Sequence, residues 1–410
     1  MKLYQLFNQK VFKIEPGLER IKQALNILGN PQDSFPSVLV AGTNGKGSTC
    51  AYLESLFRHH GFKTGLFTSP HLIEENERWQ INRVCIPNPT LEGYIEEFKD
   101  LIQEFQLTYF EACTLIAFKY FHDESVDVAV VEVGLGGRWD ATNALYPDVS
   151  VITNVSFDHM DLLGNTLRDI AFEKTGITRK DRPVVIGRNQ EEIVYWLQER
   201  DVKEFYLMDV DFWLKAKGFN QFDYSLRGEI FPDLRLSMVG RRQMENASTA
   251  LTAFLIFMEK EGKYPDRIKV YQGLLSTIWQ GRMQLISQDP LILVDGGHNQ
   301  EGLEKTFKEV REIFPDKKII TVYSFLKDKD TDRMYRVIKE SSSETIGTKV
   351  SISRGMDRED FYRLGEENFQ PDIWSAVDRA KSIADKNSLI LITGSLYLVG
   401  ELLDGWNSIS

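Results

Sequence analysis

Short apolar runs, each closed by glycine or leading into a stretch of helical period, recur through the first half of the chain. Ser37–Ala41 runs into Gly42, Asp127–Val133 into Gly134, Val149–Val155 into Ser156, and Val184–Ile186 into Gly187. Near-continuous β-branched runs suit strands covered on both faces. Strands alternating with helical stretches predict βαβ units and a mostly parallel sheet. A second series starts late: Leu291–Val294 ends in Asp295-Gly296-Gly297, Lys318–Phe325 is rich in β-formers, and Leu389–Thr393 ends in Gly394-Ser395. Between the two series, Leu207–Arg235 is aromatic-rich without helical period and reads as an antiparallel hairpin set attached to the first domain. Helical period returns at Met244–Lys260. The expected fold is therefore α/β in two domains. The polar stretch Ser287-Gln288-Asp289-Pro290 marks the expected boundary, giving domains 1–287 and 288–410.

Composition narrows this picture. A length of 410 residues suits two domains, and 42% hydrophobic with 27% charged residues is ordinary for a globular chain. Lys plus Arg number 49 against 60 Asp plus Glu, a formal charge of −11. That balance argues against broad nucleic-acid or anionic-membrane binding, which demands a basic surface, but leaves room for a local cationic pocket. Cys50, Cys85 and Cys113 form no C-x-x-C pair, as expected of a reducing compartment. The segment MKLYQLFNQK lacks an apolar signal-peptide core, and no run approaches the ~18 apolar residues of a membrane span. A cytoplasmic location and a monomer are the expectations.

The strongest local signal is Gly42-Thr43-Asn44-Gly45-Lys46-Gly47-Ser48-Thr49, between an expected strand and a helix expected over Thr49–His60. That context is what a phosphate-binding loop requires. Glycines let backbone N–H groups converge on an anion, and the helix N-terminus adds about half a positive charge. Lys46 would neutralise β- and γ-phosphates, and the Ser48 hydroxyl would face Mg²⁺. The spacing departs from G-x-x-x-x-G-K-[ST] by two fewer residues before Gly45-Lys46 and an extra Gly47. Glu132 ends an apolar strand, where open α/β sheets bind ligands; it reads as a Mg²⁺ ligand or a strand-end ion pair. Gly134-Leu135-Gly136-Gly137 is no dinucleotide fingerprint, because the sixth position is Trp139. His159, in Ser156-Phe157-Asp158-His159-Met160-Asp161, lies just past another strand, although magnesium ordinarily prefers oxygen.

Taken together, the motifs resemble folylpolyglutamate synthase. They are Leu18-Glu19-Arg20, Leu28-Gly29-Asn30-Pro31, AGTNGKGS (41–48), Thr68-Ser69-Pro70-His71-Leu72, VEVGLGGRWDATN (131–143), DHMDLLGNT (158–166), Glu173-Lys174-Thr175-Gly176, DGGHNQEG (295–302) and TGSLYLVGEL (393–402). The family includes bifunctional dihydrofolate synthases and belongs to the Mur-ligase group of ATP-dependent amide-forming enzymes. The resemblance implies an N-terminal P-loop ATPase domain with a parallel sheet, a C-terminal Rossmann-like α/β domain on the glutamate side, and an active site between them. Carried over by position, Thr43, Asn44, Gly45, Lys46, Gly47 and Ser48 would cradle ATP. Ser69 would bind Mg²⁺ with Glu132 and His159. Asn246 would approach the adenine, Arg282 the phosphates, Asp295 the ribose and His298 the γ-phosphate. Thr108 and Phe110 would line the pterin pocket. Lys174 resembles the family's carbamylated lysine, whose carboxylate could hold a second Mg²⁺; the bland alternative is a surface lysine at a helix end. Two departures loosen loop geometry: Gln280 replaces proline in W-P-G-R, and Gly297 and Gln300 replace alanine and proline in D-G-A-H-N-P.

The implied reaction adds L-glutamate to the γ-carboxylate of a folate through an acyl phosphate, with ATP as substrate. Dihydropteroate is the alternative acceptor, alone or in addition. A cell-wall Mur ligase would carry a domain before the phosphate loop, and only 41 residues precede Gly42. A P-loop switch would need nothing from the second domain. No G-x-S-x-G elbow and no H-E-x-x-H occur, so positioning and charge neutralisation are expected to carry catalysis.

Overall fold

A computed structural model describes residues 2–10, 15–188 and 191–407. The chain divides into two compact units, Met1–Ser237 with Arg242–Thr277, and Met238–Arg241 with Ile278–Ser410.

The first unit is built on eight strands: β1 (Ser37–Ala41), β2 (Thr64–Phe67), β3 (Trp79–Ile81), β4 (Val84–Cys85), β5 (Val128–Glu132), β6 (Val149–Ile152), β7 (Val184–Ile186) and β8 (Phe205–Leu207). Their order is β4-β3-β2-β5-β1-β6-β7-β8. The six strands from β2 to β8 run parallel, and β3 and β4 add an antiparallel edge. β1 and β5 are buried along their whole length, which is why their sequences show no polar alternation. The helix after β1 spans Lys46–His59. It starts three residues earlier than expected because Gly45, at φ +84°, turns the chain directly into the first helical turn. Its core is apolar on most sides: Phe57 packs edge-on against Phe254 and Phe257 of the helix Arg241–Lys260, at 5.1 and 4.9 Å between ring centroids.

The aromatic-rich segment forms β9 (Phe212–Ala216), β10 (Gln221–Leu226) and β11 (Glu229–Arg235), a separate antiparallel sheet in the order β11-β10-β9. Phe222, Tyr224 and Leu226 alternate into its core with Phe212, Phe231 and Leu234.

The second unit carries β12 (Gln284–Gln288), β13 (Leu291–Val294), β14 (Lys318–Tyr323), β15 (Glu344–Thr348), β16 (Phe369–Gln370) and β17 (Ser388–Thr393), ordered β12-β13-β17-β14-β15-β16. All pairs from β13 onward are parallel, and β12 is an antiparallel edge. The division expected at 287/288 therefore shifts to 277/278. Ser287-Gln288 ends β12, paired with Ile292 and Leu291, and Asp289-Pro290 is the two-residue hairpin connection to β13, because a polar run ending in proline serves a tight turn as well as a linker.

Candidate active site

Four adjacent parallel strands, β2, β5, β1 and β6, deliver the first unit's candidate residues to one edge. At or just beyond their carboxyl ends lie Ser69, Glu132, the loop 42–48 and His159 respectively, Glu132 being the last residue of β5. This is the edge at which open α/β sheets take ligands.

The phosphate loop is tightly determined. A Cβ on Gly42 would lie 1.8 Å from Thr153 Oγ1, and one on Gly45 would lie 2.5 Å from Asn246 Oδ1. Asn246 is thus placed directly against the loop. Lys46 folds back, its Nζ donating to Gly42 O at 3.0 Å and more weakly to Thr43 O at 3.4 Å. Thr43 is fastened to the strand-end segment after β6: its hydroxyl accepts Ser156 N–H at 3.0 Å. Lys46, Gly47 and Ser48 occupy the first helical turn, whose N–H groups have no partner within the helix.

Glu132 is buried at 4% exposure, and its Oε2 accepts Ser69 N–H at 3.0 Å, which draws the loop after β2 onto the end of β5. His159 is half exposed with φ +48°, at the start of the short helix Met160–Leu163, and its Nε2 lies 3.9 Å from Asp158 Oδ1. A cavity of about 30 Å³ is lined by Gly42, Lys46, Gly134, Asp158, His159 and Lys174, among others.

Lys174 is not a surface lysine. It lies on the helix Leu167–Thr175 at 3% exposure. Burial is the main cause, and the Lys46 charge the next, of a pKa lowered to about 7; Asp158 and Asp140 oppose the shift. The glycines of 134–137 explain how it is covered: a Cβ on Gly137 would lie 2.9 Å from Glu173 O and 3.1 Å from Lys174 O. The adjoining Arg138 pairs with Glu173 at 2.7 Å.

Phe110 and Thr108 separate in role. The Phe110 ring lies over Gly134, where a Cβ would approach it to 2.6 Å. Thr108 caps the helix Tyr109–Asp123: its hydroxyl accepts Glu111 N–H at 3.3 Å, and Glu111 returns the bond to Thr108 N–H at 2.7 Å.

In the second unit, Asp295 is 4% exposed and its carboxylate accepts three hydrogen bonds. It accepts Met283 N–H at 3.0 Å, Gly297 N–H at 3.1 Å and the Thr306 hydroxyl at 2.6 Å. These bonds fasten the loop that follows β13, with two on Oδ1 and one on Oδ2. Arg282 and His298 meet at one carbonyl: His298 Nδ1 donates to Gly296 O at 2.9 Å and Arg282 reaches the same oxygen at 3.4 Å. Gln300, in place of the family's proline, opens the helix Gln300–Ile313, where either residue is accommodated because that N–H needs no helical partner.

Among the described residues, no group of three or more His, Cys, Asp or Glu could by itself hold a metal ion. The donors present still fit magnesium, which keeps few protein ligands and completes its shell with phosphate and water. The Ser48 hydroxyl, in the first turn of the helix after β1, and the Glu132 carboxylate, at the end of the neighbouring β5, are hard oxygen donors. Sequence reasoning gave no role to Asp140, Thr153 and Asn154. For Thr153-Asn154 the signal was a polar pair at the end of an apolar run, read as a continuation of the strand.

Comparison with known proteins places these features in a family. Residues 40–254 match the Mur ligase middle domain, and residues 281–396 match the Mur ligase glutamate ligase domain. The chain is 32% identical over 408 residues to a dihydrofolate synthase/folylpolyglutamate synthase of Bacillus subtilis (strain 168), covering 95% of each chain. It is similar to the structure of E. coli FolC in complex with DHPP and ADP, with a TM-score of 0.88, 29% identity, and coverage of 99% of this chain and 97% of that one. It is also similar to a bifunctional folylpolyglutamate synthase/dihydrofolate synthase with Mn, AMPPNP and L-glutamate bound, with a TM-score of 0.85, 28% identity and coverage of 99% and 97%.

Proposed function

We propose, from the premise that this chain belongs to the Mur ligase family and within it to the folylpolyglutamate synthase/dihydrofolate synthases, that the edge described above is where its ATP is bound and spent. The protein is an ATP-dependent ligase that joins L-glutamate to a folate. A carboxylate is a poor acylating agent, so its oxygen first attacks the γ-phosphorus of ATP. The bond from that phosphorus to the β,γ-bridging oxygen breaks, ADP leaves and an acyl phosphate remains. The amine of glutamate then attacks the acyl carbon, loses a proton and expels phosphate.

The chain's own groups bind and orient. Lys46 and the first-turn N–H groups of Lys46–Ser48 neutralise the phosphates, Asn44 flanks them, and Asn246, set against Gly45, approaches the adenine. Magnesium would be held by Ser48, Ser69 and Glu132 with His159 beside them, and would neutralise charge building on the transferred phosphoryl group. Lys174 takes up CO₂: its neutral amine forms an N–C bond and releases a proton, leaving a carbamate. Its burial beside Lys46 and its pKa near 7 support that reading. Within the second unit, Asp295 fastens the loop 295–297, and Arg282 and His298 meet at Gly296 O in that same loop. Phe110 offers a ring for the pterin; Thr108 keeps the helix that carries it.

The observation that carries the proposal is the convergence of Lys46, His159 and buried Lys174 on one cavity at the carboxyl edge of a parallel sheet. A second acceptor, dihydropteroate, is favoured by the bifunctional names of the relatives and by the DHPP bound in one of them. Phosphate release tests both, with tetrahydrofolate or dihydropteroate, each with and without L-glutamate. Release is expected only when ATP, acceptor and glutamate are all present. Hydrolysis of ATP indifferent to acceptor and glutamate would defeat the ligase reading.

A further inference from the structure

Resting on the nucleotide-binding role just assigned, we infer that Asn154 is a positioning residue that sets the phosphate loop in register with the loop bearing His159. β6 ends at Ile152, yet the chain continues beside the phosphate loop in a short ladder. Thr153 N–H donates to Ala41 O at 2.9 Å, and Thr43 N–H donates to Asn154 O at 3.1 Å. At the next step the ladder has no backbone partner for Asn44, and the Asn154 side chain takes that place. Its Oδ1 accepts Asn44 N–H at 3.1 Å, and its Nδ2 donates to Asn44 O at 2.9 Å. The Thr153 hydroxyl donates to the same carbonyl at 2.6 Å. One amide side chain therefore pairs with both backbone groups of Asn44, as a neighbouring strand would.

Two consequences follow from this pairing. Asn44 N–H is consumed, so the phosphate donors of the loop begin only after it. The Asn44 side chain is left with a buried Nδ2 that has no hydrogen-bond partner among the described residues, a donor whose unmet bond a ligand can complete. Gly45 follows immediately at φ +84° and starts the helix, so a shift at Asn44 displaces every first-turn N–H. In the other direction, Asn154 is four residues before Asp158 and five before His159, both of which line the cavity with Lys46 and Lys174. Asn154 thus ties the phosphate donors and the His159 loop to one another. A residue that only filled space would be replaceable by an isostere; Asn154 is not, because the pairing needs an acceptor and a donor on one planar group.

The test is titration of the whole protein with the Mg²⁺ complex of a non-hydrolysable ATP analogue, alongside steady-state kinetics. Asn154→Ala removes both bonds. Asn154→Asp keeps size and the acceptor but sets a carboxylate against Asn44 O, and it carries the test alone should the alanine variant fail to fold. Both variants are expected to bind the analogue about 10- to 100-fold more weakly. The KM values for acceptor and glutamate should stay within about twofold, and the nucleotide-free unfolding midpoint within a few degrees. Analogue affinity within about threefold of the parent in both variants would overturn the assignment. So would a loss shared equally by all three substrates together with a lowered midpoint, which marks general damage. A parent protein that fails to bind the analogue would instead overturn the nucleotide-site reading itself.

Discussion

Replacing Lys174 with methionine separates the chemistry of that residue from its cost to the fold. The amine is buried, and its pKa falls from 10.5 to about 7. At pH 7 about half the population is then neutral, against roughly one in three thousand for a free lysine. The unfolded chain binds a proton that the folded chain does not throughout the window from about pH 7 to 10.5, so stability rises with pH across it. Over the whole window the gain is about 5 kcal/mol, and between pH 7 and pH 9 it is about 2 kcal/mol. Lys174→Met removes this term. In CO₂-depleted buffer the variant should unfold at a higher temperature than the parent at pH 7. The gap should close by roughly 4–8 °C on going to pH 9, at about 2–4 °C per kcal/mol for a domain of this size. Bicarbonate should raise the parent's midpoint and leave the variant's unchanged, and the variant should lose ligation. Thermal unfolding followed at both pH values checks the series. A gap that stays constant from pH 7 to pH 9 would refute the reasoning, because it would mean that the amine is charged in the folded protein.

Three further outcomes are expected. Lys46→Ala should abolish amide synthesis with an unaltered circular dichroism spectrum, since the hydrogen bonds Nζ makes go to the loop carbonyls of Gly42 and Thr43; near-normal turnover would defeat the phosphate assignment. Gly45→Ala should abolish nucleotide binding in a calorimetric titration, because a side chain there meets Asn246 and strains a backbone at φ +84° by about 1–3 kcal/mol. Asp295→Ala should destabilise the second unit by about 3 kcal/mol or more in denaturant titration, since three donors lose their carboxylate, whereas Asp295→Asn should lose less.

Much of the fold was legible in the chain itself, because its signals are local. An apolar run buried on both faces needs no partner to be recognised as a strand, and β1, β7 and β13 begin and end where the residue pattern places them. The phosphate loop is legible for the same reason: its glycines, lysine and first helical turn are contiguous, and their chemistry depends on backbone donors a few residues apart. Tertiary structure alone decided the rest. Lys174 at a helix end reads as solvated until the loop 134–137 is seen to close over it, because burial is a property of what packs against a residue. Asp295 reads as an available carboxylate until Met283, Gly297 and Thr306 are seen to occupy it. Asn154, inside an apolar run, reads as strand until its amide is found paired with Asn44, 110 residues away along the chain. Residues bound to near neighbours announce themselves in sequence; those bound across such a distance are chosen by the packing that brings them together.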